Sequence, residues 1–305
     1  LGPVIAVQST GRERADAINA VHGCYHVAIQ GFDDGRVVNE TVEVRSIGEA
    51  LHTGTQWDRV LEAGRQPDLT AILSNTTEAG LALDPRDRAY SPDCAPHSFP
   101  AKLLACLQAR FDAGQSGCWI VPCELVEANG DRLRELVLEQ ARIWSLSPDL
   151  THWIETDCHW VNTLVDRIVP GPPQKHPLLG VDPLLISCDP FAFWAIETER
   201  ADFPFARHPA VVTAPDISPY TLRKVRILNG AHTALVAKAL HSELRTVGDC
   251  MKDPETSAWL ERLLFDEIVP TLEGRCDDPA GFARTTLDRF RNPFLDHQLA
   301  SIALH

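Results

Sequence analysis

The residues with the clearest chemical potential are Lys224, Asn229 and His232, which lie together in the segment Lys224-Val-Arg-Ile-Leu-Asn-Gly-Ala-His232. Lysine and histidine side chains can transfer protons, and an asparagine amide can donate hydrogen bonds to an oxygen atom. Burying such groups costs roughly 1–3 kcal/mol for each hydrogen bond that is not made. Either the three groups satisfy one another inside a core, or they line a cavity that receives a ligand.

A helix is the element that must position these three side chains. Ser218 and Pro219 suit the N-cap and the first position of a helix. Apolar residues then repeat at helical spacing, namely Leu222, Val225, Leu228, Leu235 and Ala239. Asn229 and His232 are three residues apart and therefore share a face, on or beside this apolar stripe. Lys224 lies on the flank of the stripe.

The spacing of these residues also sets a geometric problem. Lys224 and His232 are eight positions apart, so a regular helix separates them by about 12 Å along its axis. The long lysine side chain, or a kink at Gly230, is expected to bring the two groups together. Gly230 and Ala231 are small enough for a ligand to approach the helix. From the residues alone, a satisfied core and a functional site are equally good interpretations.

The composition is typical of a globular chain and excludes some classes of function. Of the 305 residues, 44% are hydrophobic and 23% are charged, and the chain is long enough for two cores. The formal net charge of −14 argues against nucleic acid as a partner. It also means that an anionic substrate needs a local basic pocket. No apolar run is long enough for a membrane span, and the nine scattered cysteines indicate reduced thiols in the cytoplasm.

Strand and helix patterns alternate through the first part of the chain. Apolar runs predict strands at residues 3–8, 24–30, 37–44, 69–74 and 118–123. Helical spacing predicts helices after Gly11 and at 57–63, 101–111 and 132–143, the last of them capped by Asp131. Asp33-Asp-Gly35 is a hairpin signal. The alternation predicts a parallel α/β sheet. From Ser218 onward the pattern is helical, so we expect an α/β domain over 1–215 and a helical domain over 216–305.

A Gly-rich turn after the first strand is the usual sign of a dinucleotide site, because backbone amides there approach the pyrophosphate. No G-x-G-x-x-G occurs in this chain. Motif scanning alone therefore does not predict a nicotinamide cofactor.

Several motifs, in order along the chain, resemble one family of enzymes. The segment Arg223-Lys-Val-Arg-Ile-Leu-Asn-Gly-Ala-His-Thr-Ala234 is similar to the signature of the polyol-specific long-chain dehydrogenases, the mannitol dehydrogenase family. Further similar segments lie at residues 73–80, 98–102, 122–125, 162–171 and 189–191. The resemblance runs from about residue 3 to the end of the chain.

The resemblance implies an α/β, expanded Rossmann-like domain followed by a mainly α-helical domain, with the active site between them. It places the Gly-rich turn ahead of Leu1 and continues the helical domain beyond His305. The chain opens directly in a β-rich run, and residues 298–305 have the pattern of the middle of a helix. We therefore expect a fragment that lacks its first strand and part of its helical domain.

Catalytic roles follow from the resemblance residue by residue. Lys224 is implied as the general acid/base that protonates a ketone oxygen as hydride arrives at carbon. Asn229 and Asn162 are implied as hydrogen-bond donors to the developing alkoxide, and His232 as the residue that orients substrate hydroxyls. This chemistry requires the pKa of Lys224 to fall well below its usual value of about 10.4. Burial and the two neighbouring arginines, Arg223 and Arg226, are expected to lower it.

Two further groups of residues are candidates for binding. A polar loop follows a predicted strand at the edge where open α/β sheets bind ligands, and it resembles the family's cofactor loop: Ser74, Asn75, Thr76, Thr77 and Glu78. Without the resemblance, a simple turn is the plainer interpretation. Arg167 and Asp189 are the candidate substrate-binding residues, with Arg167 as the basic partner of a substrate carboxylate. An ion pair of Arg167 with Asp166 or Asp189 is an equal alternative.

NAD is the cofactor that the resemblance implies. An acidic residue after the second strand commonly selects NAD by binding the adenosine ribose. Here the corresponding strand ends in Gln8-Ser-Thr10, with Arg12 and Arg14 following. The decisive position is therefore neutral, and NAD is carried over from the family members that the chain resembles most.

The leading hypothesis is reversible hydride transfer between NAD(H) and a small sugar acid of the tagaturonate/altronate type, in hexuronate catabolism. One alternative substrate is fructuronate, and another is the pair mannitol and fructose. A non-catalytic remnant that keeps the motif is the alternative of another class. A metal-dependent hydrolase is disfavoured, because His152 and His159 lack a well-spaced carboxylate partner. The sequence leaves the oligomeric state open.

Overall fold

The computed structural model describes residues 2–11, 13–33, 35–239 and 242–303. The strands are β1 (Val4–Gln8), β2 (Tyr25–Asp33), β3 (Arg36–Val44), β4 (Ile47–His52), β5 (Ala71–Ser74), β6 (Trp119–Pro122), β7 (His159–Trp160), β8 (Thr163–Asp166), β9 (Ile186–Cys188), β10 (Phe193–Glu197) and β11 (Val211–Ala214). The α-helices are α1 (Glu13–Ala20), α2 (Trp57–Arg65), α3 (Phe99–Asp112), α4 (Asn129–Ile143), α5 (Pro148–Thr156), α6 (Ser218–Arg223), α7 (Gly230–Ala239), α8 (Val247–Lys252), α9 (Pro254–Arg262), α10 (Pro279–Phe290) and α11 (Leu299–Ile302). Two π-helical segments occupy Lys224–Asn229 and Leu263–Ile268.

The chain forms two compact units, each assembled from three segments. The first unit contains the described residues of Leu1–Cys24, Val44–Val165 and Trp194–Pro215. The second contains those of Tyr25–Glu43, Asp166–Phe193 and Asp216–His305. The chain passes from the first unit to the second between residues 215 and 216, where the sequence predicts a domain boundary. The division into consecutive domains 1–215 and 216–305 stays a prediction.

Parallel strand pairs form the framework of the first unit. β1 pairs with β4, β5 with β6, and β6 with β7, and all three pairs are parallel. All four residues of β6 are buried, as expected for a parallel strand that is covered on both faces. Apolar residues of the strands and of helices α2 to α5 form its main core, including Leu51, Trp57, Leu61, Leu104, Ile120, Val137 and Ile154. The predicted parallel α/β arrangement is confirmed.

The edge of this framework carries exposed apolar side chains. Val4, Ile5 and Val7 of β1 are exposed, and Leu73 of β5 is exposed as well. Among the described residues, β1 pairs with β4 alone.

No helix in the described part of the chain is long and apolar enough to cross a membrane.

The second unit combines a small sheet with most of the C-terminal helices. Its sheet has the order β3-β2-β9, and β2 runs parallel to β9. β2 and β3 are neighbours separated only by residues 34 and 35, which confirms the predicted hairpin; Asp34 itself lies outside the described residues. The core of the helices includes Ile227, Leu235, Leu260, Leu264, Leu272, Ala283 and Phe290. The helix expected over 298–305 is short, spanning Leu299–Ile302, and Leu304 and His305 lie outside the described residues.

Candidate active site

The segment that carries Lys224, Asn229 and His232 is one continuous helix over residues 218–239. The first helical residue is Ser218, so its prediction as the N-cap is wrong by one position. Asp216 explains the shift. Its carboxylate accepts hydrogen bonds from the Ser218 N–H (2.8 Å) and the Ser218 hydroxyl (2.9 Å), and it thereby satisfies an N–H group at the start of the helix.

A π-helical segment replaces the regular helix between Lys224 and Asn229. In an α-helix, five residues turn through about 500°, which puts two such side chains about 140° apart. The hydrogen bonds of a π-helix close one residue later, so the turn is wider and residue i+5 comes closer to the face of residue i. The π turn therefore moves Lys224 toward the face of Asn229 and His232. Gly230 shows no kink, since its backbone angles are helical (φ −58°, ψ −43°).

The π turn also changes which residues of the helix are buried. Ile227, Ala231, Leu235 and Ala239 are buried at four-residue intervals. Val225 belongs to the predicted apolar stripe, but its side chain is 47% exposed. The extra residue in the π turn shifts the register of the stripe, so the prediction that Val225 faces the core is wrong.

Lys224 is half-buried, and this burial lowers the pKa of its ammonium group. The carboxylate of Asp166 acts in the opposite direction, and the guanidinium of Arg289 lowers the pKa further. The structure thus identifies Arg289 as the influential cation, in place of the predicted Arg223 and Arg226. A lysine with a lowered pKa can exchange protons closer to neutral pH.

Arg289 belongs to a buried network of charges in the second unit. Its guanidinium donates to both oxygens of Asp166 (2.9 and 3.1 Å) and to Oδ2 of Asp189 (2.7 Å). The guanidinium carbon lies 4.4 Å from the centre of the Phe191 ring. Oδ1 of Asp189 accepts a hydrogen bond from the N–H of Ile168 (3.0 Å). Both oxygens of Asp189 are therefore engaged by the protein, and burial raises the pKa of its carboxyl group.

Arg167 lies beside this network but outside its ion pairs. Its side chain is exposed, and Nε donates to the backbone carbonyl of Asp189 (3.2 Å). Among the described residues, the carboxylates of Asp166 and Asp189 pair with Arg289, so the alternative ion pair with Arg167 is wrong. Sequence reasoning missed Arg289, because a charged residue near the end of an amphipathic helix has the pattern of a solvated position.

His232 is held between aromatic rings. Its imidazole stacks on Phe290, with ring centres 4.4 Å apart, and meets the edge of His297 at 4.9 Å. Burial, followed by the influence of His297 and Arg289, lowers the pKa of His232 to about 3. The ring is therefore neutral at physiological pH, and its buried Nε2 has no hydrogen-bond partner among the described residues. Asn229 is exposed on the same side of the helix.

Asn162 lies in the first unit, between β7 and β8. Its Oδ1 accepts hydrogen bonds from the N–H groups of Gly130 (3.0 Å) and Asp131 (3.1 Å) at the start of α4. Gly130 allows this approach, because a Cβ there would lie 2.2 Å from the carbonyl oxygen of Val161. The prediction that Asp131 caps α4 is therefore wrong, since Asn162 does so. Nδ2 of Asn162 donates to Asp131 Oδ2 and to Glu197 Oε1, at 3.0 Å each.

The predicted cofactor loop begins at the buried end of β5. The hydroxyl of Ser74 donates to Oε2 of Glu124 (3.0 Å), and the N–H and hydroxyl of Thr76 donate to Oε1 of the same carboxylate (2.9 and 2.8 Å). The other members of the loop are exposed, namely Asn75, Thr77 and Glu78. The loop thus turns alternate side chains inward and outward. Sequence reasoning did not assign a role to Glu124, although it lies in the similar segment 122–125.

The end of β1 is closed by a neutral side chain. Oε1 of Gln8 accepts a hydrogen bond from the N–H of Ala15 (2.7 Å), and Nε2 donates to the carbonyl of Thr10 (2.6 Å). Arg14 is exposed, and Arg12 lies outside the described residues. The position expected to contact an adenosine ribose therefore presents an amide in place of a carboxylate.

The predicted site residues are divided between the two units. The second unit contains five of them, Lys224, Asn229, His232, Arg167 and Asp189, and the first contains Asn162 and loop residues 74–78. Within the described ranges, no three His, Cys, Asp or Glu side chains come together in an arrangement that could hold a metal ion.

Comparisons with protein families match nearly the whole chain. The family model described as the mannitol dehydrogenase Rossmann domain matches residues 7–205, and the mannitol dehydrogenase C-terminal domain matches residues 216–305. A Bacillus subtilis (strain 168) protein named altronate oxidoreductase is 38% identical over 320 residues, covering 100% of this chain and 65% of the relative. A protein of the same name from Phocaeicola vulgatus is 37% identical, with 99% and 66% covered. The chain thus spans about two thirds of the length of these relatives.

Solved structures show the same fold at lower identity. A substrate-free D-sorbitol dehydrogenase superposes with a TM-score of 0.82 and 22% identity, covering 99% of this chain and 66% of the other. Mannitol 2-dehydrogenase of Pseudomonas fluorescens, in a ternary complex with NAD and D-mannitol, gives 0.80 and 23%, with 98% and 64% covered. These likenesses confirm the predicted fold class, a Rossmann-like part followed by a helical part.

Proposed function

Because this chain belongs to the mannitol dehydrogenase family, we propose that the full-length protein is an NAD-dependent oxidoreductase that reduces the ketone of tagaturonate to altronate. The observation that carries the proposal is the π turn, which moves a half-buried lysine of lowered pKa toward the face of Asn229 and His232. π turns interrupt helices most often at functional sites. The curated relatives named altronate oxidoreductase support the choice of a sugar acid.

Each of the proposed site residues has a separate role in the reaction. Lys224 donates its proton to the ketone oxygen, and Asn229 donates a hydrogen bond to the same oxygen as negative charge develops there. His232 is neutral, and a substrate hydroxyl provides the partner that its buried Nε2 otherwise lacks. Arg167 binds the carboxylate of the sugar acid, since a guanidinium can make paired hydrogen bonds to it.

The proposed roles of Asn162 and Asp189 are limited by their present contacts. Asn162 donates to Asp131 and Glu197, so it binds a substrate oxygen only by exchanging one of these carboxylates. Asp131 is the exposed partner and therefore the easier one to exchange. Asp189 is buried in its ion pair with Arg289, so it acts on the substrate through the backbone carbonyl that holds Arg167.

The loop after β5 fits a nicotinamide cofactor by its position and its donor groups. It follows the carboxyl end of a parallel strand, where open α/β sheets bind nucleotides, and its exposed Asn75 and Thr77 offer neutral hydrogen-bonding groups. NADH, when bound, supplies the hydride. Asn75, Thr77 and Glu78 are the loop residues available to hold it, and the neutral end of β1 at Gln8 is compatible with NAD. All nine cysteines are free thiols, which favours a cytoplasmic enzyme.

The first test is NADH oxidation by the full-length protein with tagaturonate, fructuronate and fructose as substrates. We expect tagaturonate to turn over fastest, and added salt to raise its KM more than that of fructose, because only the sugar acid carries a charge. Lys224→Ala is expected to lower kcat at least about 100-fold, as loss of a general acid does. Fastest turnover of fructose would move the assignment to a polyol enzyme.

Lys238→Ala is the matched control for this test. Lys238 lies on the same helix, and its ammonium pairs with Glu255 at 3.4 Å, away from the proposed chemistry. We expect this variant to keep the rate of the unmodified protein. If Lys224→Ala kept that rate as well, the acid role of Lys224 would be refuted. If no substrate supported NADH oxidation by the unmodified protein, the proposed function itself would fail.

A further inference from the structure

Glu124 is a buried carboxylate that faces the predicted cofactor loop. Glu124 follows β6 and is only 3% exposed. The carboxylate accepts three hydrogen bonds, one from the hydroxyl of Ser74 (3.0 Å) and two from the N–H and hydroxyl of Thr76 (2.9 and 2.8 Å). One donor is the last residue of β5, and the other two belong to Thr76 in the loop that follows. The contacts of this carboxylate therefore fix the path of one short segment.

The three donors to Glu124 are all neutral groups. Among the described residues, no lysine, arginine or histidine forms an ion pair with it. A buried carboxylate that has no cation is stabilised only by hydrogen bonds from neutral groups. If the loop turned these donors outward, the buried carboxylate would lose all three of these hydrogen bonds, so carboxylate and loop conformation stabilise each other.

The backbone around Glu124 is fixed more firmly than the loop. The N–H of Cys123 donates to the carbonyl of Ser74 (2.7 Å) and continues the pairing of β6 with β5. The carbonyl of Glu124 accepts from Nδ2 of Asn129 (3.0 Å), which also donates to the carbonyls of Pro122 and Thr163 (3.2 Å each). These bonds tie Glu124 to the ends of β6 and β8. Glu124 is thus a fixed anchor against which the loop is positioned.

The anchoring determines which loop residues can meet a ligand. Ser74 and Thr76 turn inward to the carboxylate, and Asn75 and Thr77 between and after them are exposed. We propose that Glu124 is the positioning residue of the cofactor site: its carboxylate holds the loop so that Asn75 and Thr77 are set to bind the nicotinamide cofactor. This inference rests on the proposed function, because that function makes residues 74–78 a cofactor loop.

The test measures NADH affinity directly, by fluorescence titration, together with the steady-state KM for NADH and for tagaturonate in the full-length protein. In Glu124→Ala the loop is free to leave its binding conformation. If it then spends about a tenth of its time there, the Kd and KM for NADH rise about tenfold. We expect kcat at saturating NADH and the KM for tagaturonate to change by less than about threefold, since bound cofactor restores the loop.

Glu124→Gln is the conservative variant. Its amide oxygen can still accept from Thr76, and its NH₂ group can donate to the hydroxyl of Ser74. We therefore expect it to recover most of the NADH affinity. If Glu124→Ala does not fold, Thr76→Val removes a donor from the other side of the same contact; a Kd for NADH more than about twofold above that of the Asp87 control then supports the anchor, and an unchanged Kd overturns it.

Asp87→Ala is the matched control. Asp87 is also a buried carboxylate of the first unit, and it also accepts three hydrogen bonds, from the N–H of His97 and from the N–H and hydroxyl of Ser98 (2.7–2.8 Å). Its loss should destabilise the protein without changing the Kd for NADH. If both Glu124 variants bind NADH as the Asp87 variant does, the inference is overturned while the proposed function stands. If the unmodified protein does not bind NADH, the proposed function fails first.

Discussion

Replacement of Arg289 by methionine is the perturbation whose consequences the structure defines most fully. Arg289 is 2% exposed, and its guanidinium bonds Asp166 at 2.9 and 3.1 Å and Asp189 at 2.7 Å. Methionine matches the unbranched stem of arginine as far as the position of Nε, but it carries no charge and no hydrogen-bond donor. Arg289→Met therefore leaves two buried carboxylates without their common cation.

The expected loss of stability is large. Removing one partner of a buried ion pair costs about 3–5 kcal/mol, because the remaining charge stays uncompensated. Domains of ordinary stability unfold with about 5–15 kcal/mol, so the variant loses a substantial part of the total. Even in the unmodified protein, burial raises the pKa of Asp189 in spite of its pairing with Arg289.

The loss should also depend on pH, with a definite sign. Without Arg289, the pKa of Asp189, which burial already raises, rises further above its unfolded value. A carboxyl group with a raised folded pKa costs stability as pH rises through that pKa, and the cost disappears when the group is protonated. The difference between Arg289→Met and the unmodified protein should therefore be greatest at neutral pH and shrink as the pH is lowered. Urea unfolding followed by tryptophan fluorescence, at neutral pH and at about pH 5, measures both quantities.

Arg291→Met provides the control for this prediction. Arg291 follows the same helix, and it pairs with Glu261 (2.6 Å) and Asp288 (3.5 Å) while remaining partly exposed. Exposed ion pairs contribute about 0–1 kcal/mol, so this variant should unfold close to the unmodified protein at both pH values. If Arg289→Met also unfolds within about 1 kcal/mol of the unmodified protein at neutral pH, the buried network does not have the energetic role assigned to it.

Two further predictions concern the helix over residues 218–239. Gly230→Ala should stabilise the helix by about 0.5–1 kcal/mol, because a Cβ there meets only the carbonyl of Val225 at 3.7 Å; it should nevertheless raise the KM for the sugar acid if substrate approaches the helix at this point. Unfolding and steady-state assays on one sample compare the two effects. An unchanged KM would show that substrate does not approach the helix at Gly230. His232, with a pKa of about 3, should show no imidazole titration by NMR between pH 5 and 8. Its depressed pKa also means that stability is lost as pH falls below about 6.5, the unfolded value.

The elements of the fold were largely predictable from periodicity. Alternating apolar runs predict β2 and β3 and the hairpin between them, and helical spacing predicts α2, α3 and α4 to within a few residues. These patterns record which side of an element meets a core, and that property is local. The family resemblance rested on motifs of the same local kind, and the comparisons confirm it.

The π turn at Lys224–Asn229 was not predictable by the same means. A π turn inserts one residue into a helix, and the apolar residues on either side still follow spacings of three and four. The sequence pattern therefore fits a regular helix with Val225 on the buried side. Only the exposure of Val225 and the burial of Ile227 show that the register has shifted.

Partners that are distant in the sequence account for the other surprises. Arg289 pairs with carboxylates 123 and 100 residues away, and Asn162 caps a helix that begins 33 residues before it. From the sequence pattern alone, each of these polar residues is interpreted as a surface position, because no partner for it lies nearby in the chain. Such groups can be found only after the fold has brought their partners together.

The acidic composition gains a second interpretation from these contacts. For the chain as a whole, solubility is a sufficient explanation of the net charge of −14. Within each unit, however, individual carboxylates hold the groups that the proposed chemistry uses: Glu124 holds the loop of Ser74, Glu197 holds the amide of Asn162, and Asp166 and Asp189 hold Arg289, which acts on Lys224. Because a buried carboxylate must be satisfied by several donors at once, it orders its neighbours more strictly than an apolar side chain of the same size. In this chain, carboxylates therefore set the positions of groups that would otherwise be free to rotate.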